Sequence, residues 1–567
     1  MKNNHSSTWA NRIGKYYFPV QDKSEMAANL KRNWYFPISA GAFFCLEARF
    51  DAEYLLGFLA AFALSVLIAA QSPSMIDFIK KNPIGLKAVS ILTAAGICLA
   101  GRTAFCDMWQ MSPITQALET MIPTSVNLAG MISAVGMVAS GFYVFFFILL
   151  FWNSLYRTVQ ETGLFNNIKT VEWILIGIMF LITVVYVTVS FTKTDAFYGT
   201  VHDFDIIYTS DSPSLVKDNV YLVLTHPEND LRQPLFAIFA APFLGIAYLL
   251  GRLTGGSAAV SAILMNSVQI GLLFAANYML AKLMGLDSRK RICFVIISCC
   301  TYTHLLFSLM MEQYIVAYFW LMLCVYVICE QQRPYRAALW GAGGTLLTSM
   351  VLLPMMSDKH PLRDFKAWLL DMIRFGMEFV AVMLIFCRLD VIAGVFTKVK
   401  NLNTFAGHEL TLLDKFCQYT AFVSGIFAAP NAGENTAFAA GHISWQLQPV
   451  TGISMGGIVI LLLALLGAAL NWQKKSTRIA LGWAGFSLIM LVGLGWGTAE
   501  NGLILYALYF GWAFCLLLFQ LAERLEKAIR VKWLIPAFTF AAGACLLCVN
   551  IPAIREMIRF AVNYFPL

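Results

Sequence analysis

Apolar runs of about 17–25 residues recur along almost the whole chain, and no other feature constrains its fold as tightly. Roughly 20 residues at 1.5 Å each cover the hydrocarbon core of a bilayer. Such runs stand at 54–70, 126–151, 171–191, 257–281, 292–310, 314–330, 368–388, 453–471, 479–495, 503–521 and 533–549. Shorter or more polar candidates lie at 35–48, 86–101, 235–253, 337–354 and 416–430. None alternates in the manner of a barrel strand. Hydrophobic residues make up 59% of the 567 positions and charged residues only 13%, against about 25% charged in soluble domains. Too little polar surface remains to face water on all sides. The expected fold class is all-α, a polytopic transmembrane helical bundle of roughly 11–14 spans with long extracytoplasmic loops carrying short helices.

The net charge of +8 is spread in short clusters between the apolar runs: Lys80-Lys81, Arg289-Lys290-Arg291, Arg333 with Arg336, Lys474-Lys475 with Arg478, and Arg524 to Lys532. That distribution matches cytoplasmic loops under the positive-inside rule, and it gives no stripe for nucleic acid. The stretch to Arg32 is basic without an apolar signal core, so no cleaved signal peptide is expected and the N-terminus is placed in the cytoplasm. The 13 cysteines lie mostly in or beside apolar runs, show no metal-ligand spacing and read as small buried hydrophobes. No P-loop is present, which argues against an ATP-driven pump.

The chain divides into a cytoplasmic segment (1–33), accessory transmembrane helices (34–170), a core (171–388), a second outer loop (389–452) and C-terminal transmembrane helices (453–567). Within the core, Arg157 and Lys169 put the start of 171–191 in the cytoplasm, so residues 192–233 face outward. Seven acids fall in that loop (Asp195, Asp203, Asp205, Asp211, Asp218, Glu228 and Asp230) against three basic side chains (Lys193, Lys217 and Arg232). Keeping the Arg289-Lys290-Arg291 cluster inside requires 235–253 to be re-entrant or interfacial, and Met311-Glu312-Gln313 then forms an outer turn. Residues 337–354 either return to the cytoplasm as a pair of short helices, or span together with 416–430.

Two motifs on the outer side carry the chemistry. The first runs from Phe197 to Pro242, with a Ser210-Asp211-Ser212-Pro213 turn leading to Arg232-Gln233-Pro234-Leu235 at the start of the next apolar helix. The second runs from Tyr302-Thr303-His304 to Met311-Glu312-Gln313-Tyr314. Over about 170–350 the chain resembles the GT-C superfamily of membrane glycosyltransferases, of the protein O-mannosyltransferase and aminoarabinose transferase type. That family places a catalytic Asp after its first core span and, some twenty residues later, a His-Pro-Pro-Leu-like motif leading into an apolar helix. Asp211 stands 23 residues before Pro234, and Arg232 and Gln233 replace the family's His and first Pro. Glu312 falls where the family has an acid at an outer turn. The resemblance implies a polyprenyl-phosphate sugar donor and an acceptor that is a lipid, a glycan or a protein. It casts Asp211 as the base, with Glu312 as a second catalytic acid. Arg232, Lys217 and His226 are candidates for the donor phosphate, Arg being suited to bidentate contact. His304, Asp205 and Asp203 are candidates for orienting the acceptor. A divalent metal such as Mg or Mn is compatible with this set and not demanded by it.

Each assignment has a plain rival. Asp211, two before Pro213, also suits a helix N-cap. Asp203 and Asp205 suit a solvated face, and Lys217 and Arg232 suit local ion pairs. His304 suits a hydrogen bond to a neighbouring helix. Arg252 suits a headgroup anchor, and Trp496 and Glu500 suit an interfacial helix end. His408, Glu409 and His442 in the second outer loop could line an acceptor cleft. Two other functions compete: a transporter or lipid-linked glycan flippase, which would show paired broken helices and midplane acids, and a polysaccharide polymerase or ligase. Membrane lipid is an expected partner, nucleic acid is not, and the bacterial plasma membrane is the expected location.

Overall fold

The computed structural model describes residues 23–46, 52–111, 128–199, 204–210, 216, 220–223, 235–255, 257–330, 362–386, 388, 391, 405–439 and 442–567. Among them are eighteen α-helices and one two-stranded sheet. Nine helices are long and apolar enough to cross a membrane, or up to eleven if each of two bent pairs is one span. The protein is a multi-pass helical bundle. The chain separates into two compact units, residues 1–154 with 381–390 and residues 155–380 with 391–567.

The first unit holds α1 (Lys23–Arg32), α2 (Tyr35–Leu46), α3 (Ala52–Gln71), α4 (Met75–Lys81), α5 (Ile84–Met111) and most of α6 (Leu128–Thr162). Its described helices meet through tight hydrogen-bonded and aromatic contacts, as expected where lipid removes any hydrophobic drive between helices. Ser39 Oγ donates to Ala139 O at 2.6 Å and accepts from Tyr143 N–H at 2.9 Å, clasping α2 to α6. Around this clasp Phe36, Phe43, Phe44 and Phe147 surround Tyr143 with tilted and edge-to-face rings, and Phe146 packs edge-on against Phe36. The span read at 54–70 does not end there: after Pro73 the chain bends by 73° into α4. Asn33 stabilises that corner by donating to Ala69 O and Ser72 O.

The second unit follows with α7 (Thr170–Phe191), α8 (Phe236–Leu253), α9 (Ala258–Leu283), α10 (Ser288–Cys300), α11 (Tyr302–Leu309) and α12 (Gln313–Glu330). Next come α13 (Phe365–Ile385), whose last residues belong to the first unit, and α14 (Leu412–Gly425). The hairpin of β1 (Ala432–Ala439) and β2 (His442–Leu447) precedes α15 (Met455–Leu470), α16 (Lys475–Leu488), α17 (Ala507–Ile529) and α18 (Leu534–Tyr564). The segment read as a single span at 292–310 is two helices, α10 and α11, bent by 65°. Thr301 makes the break: its extended backbone stops α10, while its hydroxyl accepts from His304 N–H and caps α11. The candidate at 416–430 proves to be α14, 14 residues long and short of the ~20 that a span needs. The candidate at 337–354 lies outside the described residues.

Polar contacts show which helix ends share a side. Arg291 at the start of α10 holds Glu172 at the start of α7 through two bonds, 2.8 and 2.7 Å. Lys282 at the end of α9 donates to Asn166 O, and Tyr326 on α12 donates to Thr162 O. Lys290, Lys474 and Lys527 gather on Glu523 and Glu526 near the end of α17. All of this lies at one end of the unit, here the basic end. The other, the loop end, holds Phe191, Glu312 and the β hairpin. Helix α9 has 26 residues, about 39 Å, so with Leu283 at the basic end Ala258 lies at the loop end. Helix α8 begins at the loop end too, where Phe236 packs on Tyr221 at 5.5 Å between ring centroids. It then joins α9 through residues 254–257. Both ends of α8 therefore lie on the same side, although its length and composition would suffice for a crossing.

Candidate functional site

The site grows from the turn that ends α7. After Phe191 the chain leaves the helix, and Thr194 Oγ1 donates to Ala561 O on α18 at 3.1 Å while accepting from Ala196 N–H. Thr194 also pairs with Pro566 in an isolated β-bridge. Asp195 is buried. Its carbonyl takes the N–H groups of Tyr198 and Gly199 at 3.0 and 2.7 Å, closing a tight turn. The Tyr198 phenol donates to Phe191 O. Burial, with the nearby Asp195 charge, pushes that phenol up to about 12. Asp195 was one of seven acids in the outer loop and carried no assignment of its own. The signal that could have singled it out is its place, four residues beyond the end of a span.

This turn meets Glu312. The Phe197 carbonyl accepts from Met311 N–H at 3.3 Å, so the turns carrying Asp195 and Glu312 are stitched one residue from the acid. Glu312 has 0% of its surface exposed, in the extended link between α11 and α12. A buried carboxylate at the end of two apolar helices is costly and marks a paired or functional group. Gln269 on α9 lies beneath it. Its Nε2 donates to Glu312 O at 3.2 Å and to the Tyr221 hydroxyl at 2.8 Å. One turn away, Asn266 Nδ2 donates to Ser308 O at 2.8 Å. Gln269, Asn266 and Tyr221 were not legible as site residues, because amides inside an apolar run look like isolated helix-packing groups.

A second strip of the outer loop, 204–210, lies along the hairpin. Trp445 N–H donates to Ile206 O and Tyr208 N–H to Trp445 O, both at 2.7 Å. Gln446 Nε2 donates to Tyr208 O at 2.8 Å, and the Tyr208 and Tyr302 hydroxyls share a hydrogen bond. Tyr208 sits at φ +52°, a left-handed conformation that a bulky residue adopts only when its surroundings enforce it. Phe204 stacks on His442 at 4.5 Å. Asp205, half-buried, lies on the same strip, and Ser210, just before Asp211, is buried. The loop after α16 completes this surface. Gly502 abuts Thr209, Trp496 Nε1 donates to the Tyr506 hydroxyl at 2.9 Å, and Tyr506 meets Tyr314 edge-on at 5.8 Å.

Of the residues read from the sequence, Asp211, Asp203, Lys217, His226 and Arg232 lie outside the described residues. Glu312 and Asp205 both lie at the loop end. His304 faces away from the outer surface. It is buried on α11, with Nδ1 at 3.2 Å from Asn277 Nδ2 on α9. Among the described residues no group of three or more His, Cys, Asp and Glu side chains is placed to hold a metal ion. What the arrangement offers chemically is a set of buried carboxylates among phenols and amides, able to accept protons or bind hydroxyl-rich groups. No known protein family matches the chain, and neither a curated protein nor a solved structure is similar to it.

Proposed function

We propose that the protein is a membrane glycosyltransferase that moves a sugar from a polyprenyl-phosphate donor to an acceptor at the loop end of the bundle. The observation that carries the reading is the joining of the acid-rich loop, through Asp195 and Phe197, to the turn of the fully buried Glu312, at the end opposite the basic clusters. The basic end is cytoplasmic on this reading, under the positive-inside rule. In the reaction a loop carboxylate, Asp211, takes the proton of an acceptor hydroxyl as its oxygen attacks the anomeric carbon. The bond from that carbon to the phosphate oxygen breaks, and the polyprenyl phosphate leaves with its negative charge stabilised by Arg232, Lys217 and His226. Glu312 positions the acceptor. An apolar groove of about 610 Å³ between α10, α15, α17 and α18, walled by Phe294, Ile460, Leu463, Leu518, Phe538 and Leu546, suits the donor's hydrocarbon chain.

The test uses purified protein in lipid nanodiscs with a panel of polyprenyl-phosphate sugars, following loss of sugar from the lipid. Asp211→Asn is expected to slow release by at least about a hundredfold, the usual worth of a positioned base, and Glu312→Gln is expected to slow it through a misplaced acceptor. Unchanged turnover in both variants removes the assignment.

A transporter has one observation in its favour, the 65° break between α10 and α11 beside a small cavity, since broken helices form substrate sites in transporters. Movement of a lipid-linked sugar across sealed vesicles without its consumption would select that reading.

A further inference from the structure

The cavity at the α10–α11 break has a volume of about 30 Å³ and is lined by Asn277, Ser298, Thr301, Thr303, His304, Tyr318 and Trp512 among apolar neighbours. Hydrogen bonding fixes what each polar group presents to it. Tyr318 donates its hydroxyl hydrogen to Asn277 Oδ1 at 2.9 Å. The Asn277 amide therefore turns its NH₂ toward His304, and His304 Nδ1 is an acceptor without a proton. The ring proton accordingly resides on Nε2. His304 Nε2–H and Trp512 Nε1–H are both buried donors with no acceptor, on residues 3% and 2% exposed. The hydroxyls are the opposite case. Ser298 donates to Phe294 O, Thr301 to Ser298 O and Thr303 to Ile426 O, so with Tyr318 each has spent its hydrogen and can only accept.

We infer that this cavity is a binding site for one water molecule, which accepts from His304 Nε2 and Trp512 Nε1 and donates to two of the four hydroxyl oxygens. An anion would meet the hydroxyl lone pairs, and a purely donating cation would meet two N–H groups. A molecule that accepts two bonds and donates two answers both, and the volume admits one of that size. The water ties α11 to α17 where the backbone ladder of the α10–α11 pair is interrupted. Ordered water commonly re-satisfies broken helices in this way. Both nitrogens of His304 are then engaged, so the residue secures the break and is held away from metal binding and proton transfer. This does not depend on the glycosyl-transfer reading.

The test is an experimental structure of the full chain at a resolution that shows ordered water, from crystals grown with bromide in place of chloride. One peak within hydrogen-bonding distance of His304 Nε2 and Trp512 Nε1, without anomalous signal, is expected. Bromide density there, or no density, overturns the assignment. Solid-state NMR of ¹⁵N-histidine protein, with His304 identified by difference against His304→Gln, gives a second measurement. A bare Nδ1 and a protonated Nε2 at neutral pH are expected, and the other tautomer overturns it. Trp512→Phe removes one donor and is expected to weaken the water peak. Both wild-type measurements stand even where that variant fails to fold.

Discussion

The Tyr198 phenol is a reporter for Asp195. Burial and the adjacent carboxylate both favour its neutral form, so the folded protein keeps that proton above the ordinary tyrosine value near 10. The group is neutral in both states below about pH 10 and costs nothing there; stability drains away between about pH 10 and the folded value as the unfolded chain ionises first. Asp195→Asn is expected to lower the folded value and narrow that window. The measurement is an ultraviolet titration of wild type and variant, each differenced against Tyr198→Phe. An unmoved titration would mean that the Asp195 carboxylate does not face this phenol. Arg291 teaches the complementary lesson. In the sequence it is one of three clustered basic residues, legible as a mark of sidedness. In the fold it is nearly buried and grips Glu172, 119 positions away, while also donating to Leu286 O and Asn167 O. Charge clustering is legible locally, whereas a partner so distant in sequence leaves no local trace. Arg291→Met strands a buried carboxylate and is expected to cost about 3–5 kcal/mol, read as a large fall in Tm in detergent. Glu172→Gln with Arg291→Met together should recover part of that loss.

At the level of elements, helix existence was legible nearly everywhere because lipid demands long apolar runs. The breaks were less so. The chain around Thr301 is as apolar as a straight span, and its bend rests on a threonine cap and on Asn550, which reaches from α18 to Cys300 O and Phe427 O at 2.8 Å. The β hairpin was missed for another reason. Residues 432–441 are mostly small and polar, the alternation of His442–Leu447 covers only six residues, and partners elsewhere, the 206–208 strip and Phe560, add to their order. Helix α15 shows how apolar segments achieve specificity in lipid. A methyl group at Gly467 would run into the backbone of Leu517 on α17, and one at Gly457 into the backbone of Thr420 on α14. Small residues let helices approach this closely. Gly467→Ala is expected to push α15 from α17 and destabilise by about 1–3 kcal/mol, measured as a drop in Tm. Gly485→Ala, which meets open space, serves as the neutral control.

For the whole molecule, the arrangement of helix ends in the second unit makes a sidedness prediction independent of any reaction. Single cysteines at Lys193 and Thr254, in a background without other reactive thiols, should label from the same face of intact cells with a membrane-impermeant maleimide. One at Arg289 should label only after lysis. Labelling of Thr254→Cys from the face of Arg289 would show that α8 crosses and that the parity drawn from α9 is wrong. Candidate chemistry was legible in the sequence only as a region. The acids of the outer loop pointed to one end of the bundle, but choosing among them needed to know which are buried. Burial there depends on α9, on the link before α12 and on α18, which lie tens to hundreds of residues away.

Helix α18 is 31 residues long, about 46 Å, and so outreaches a hydrocarbon core of about 30 Å. Its far end grips Thr194 across 367 positions. A ribosome working from the N-terminus therefore makes every other part of the loop end before making the clamp that fastens its first turn. Ten further helices and two strands among the described residues must be threaded before that clamp can close. Contacts this distant are slow to form, so assembly of the site is expected to be the last and most error-prone step in the protein's biogenesis.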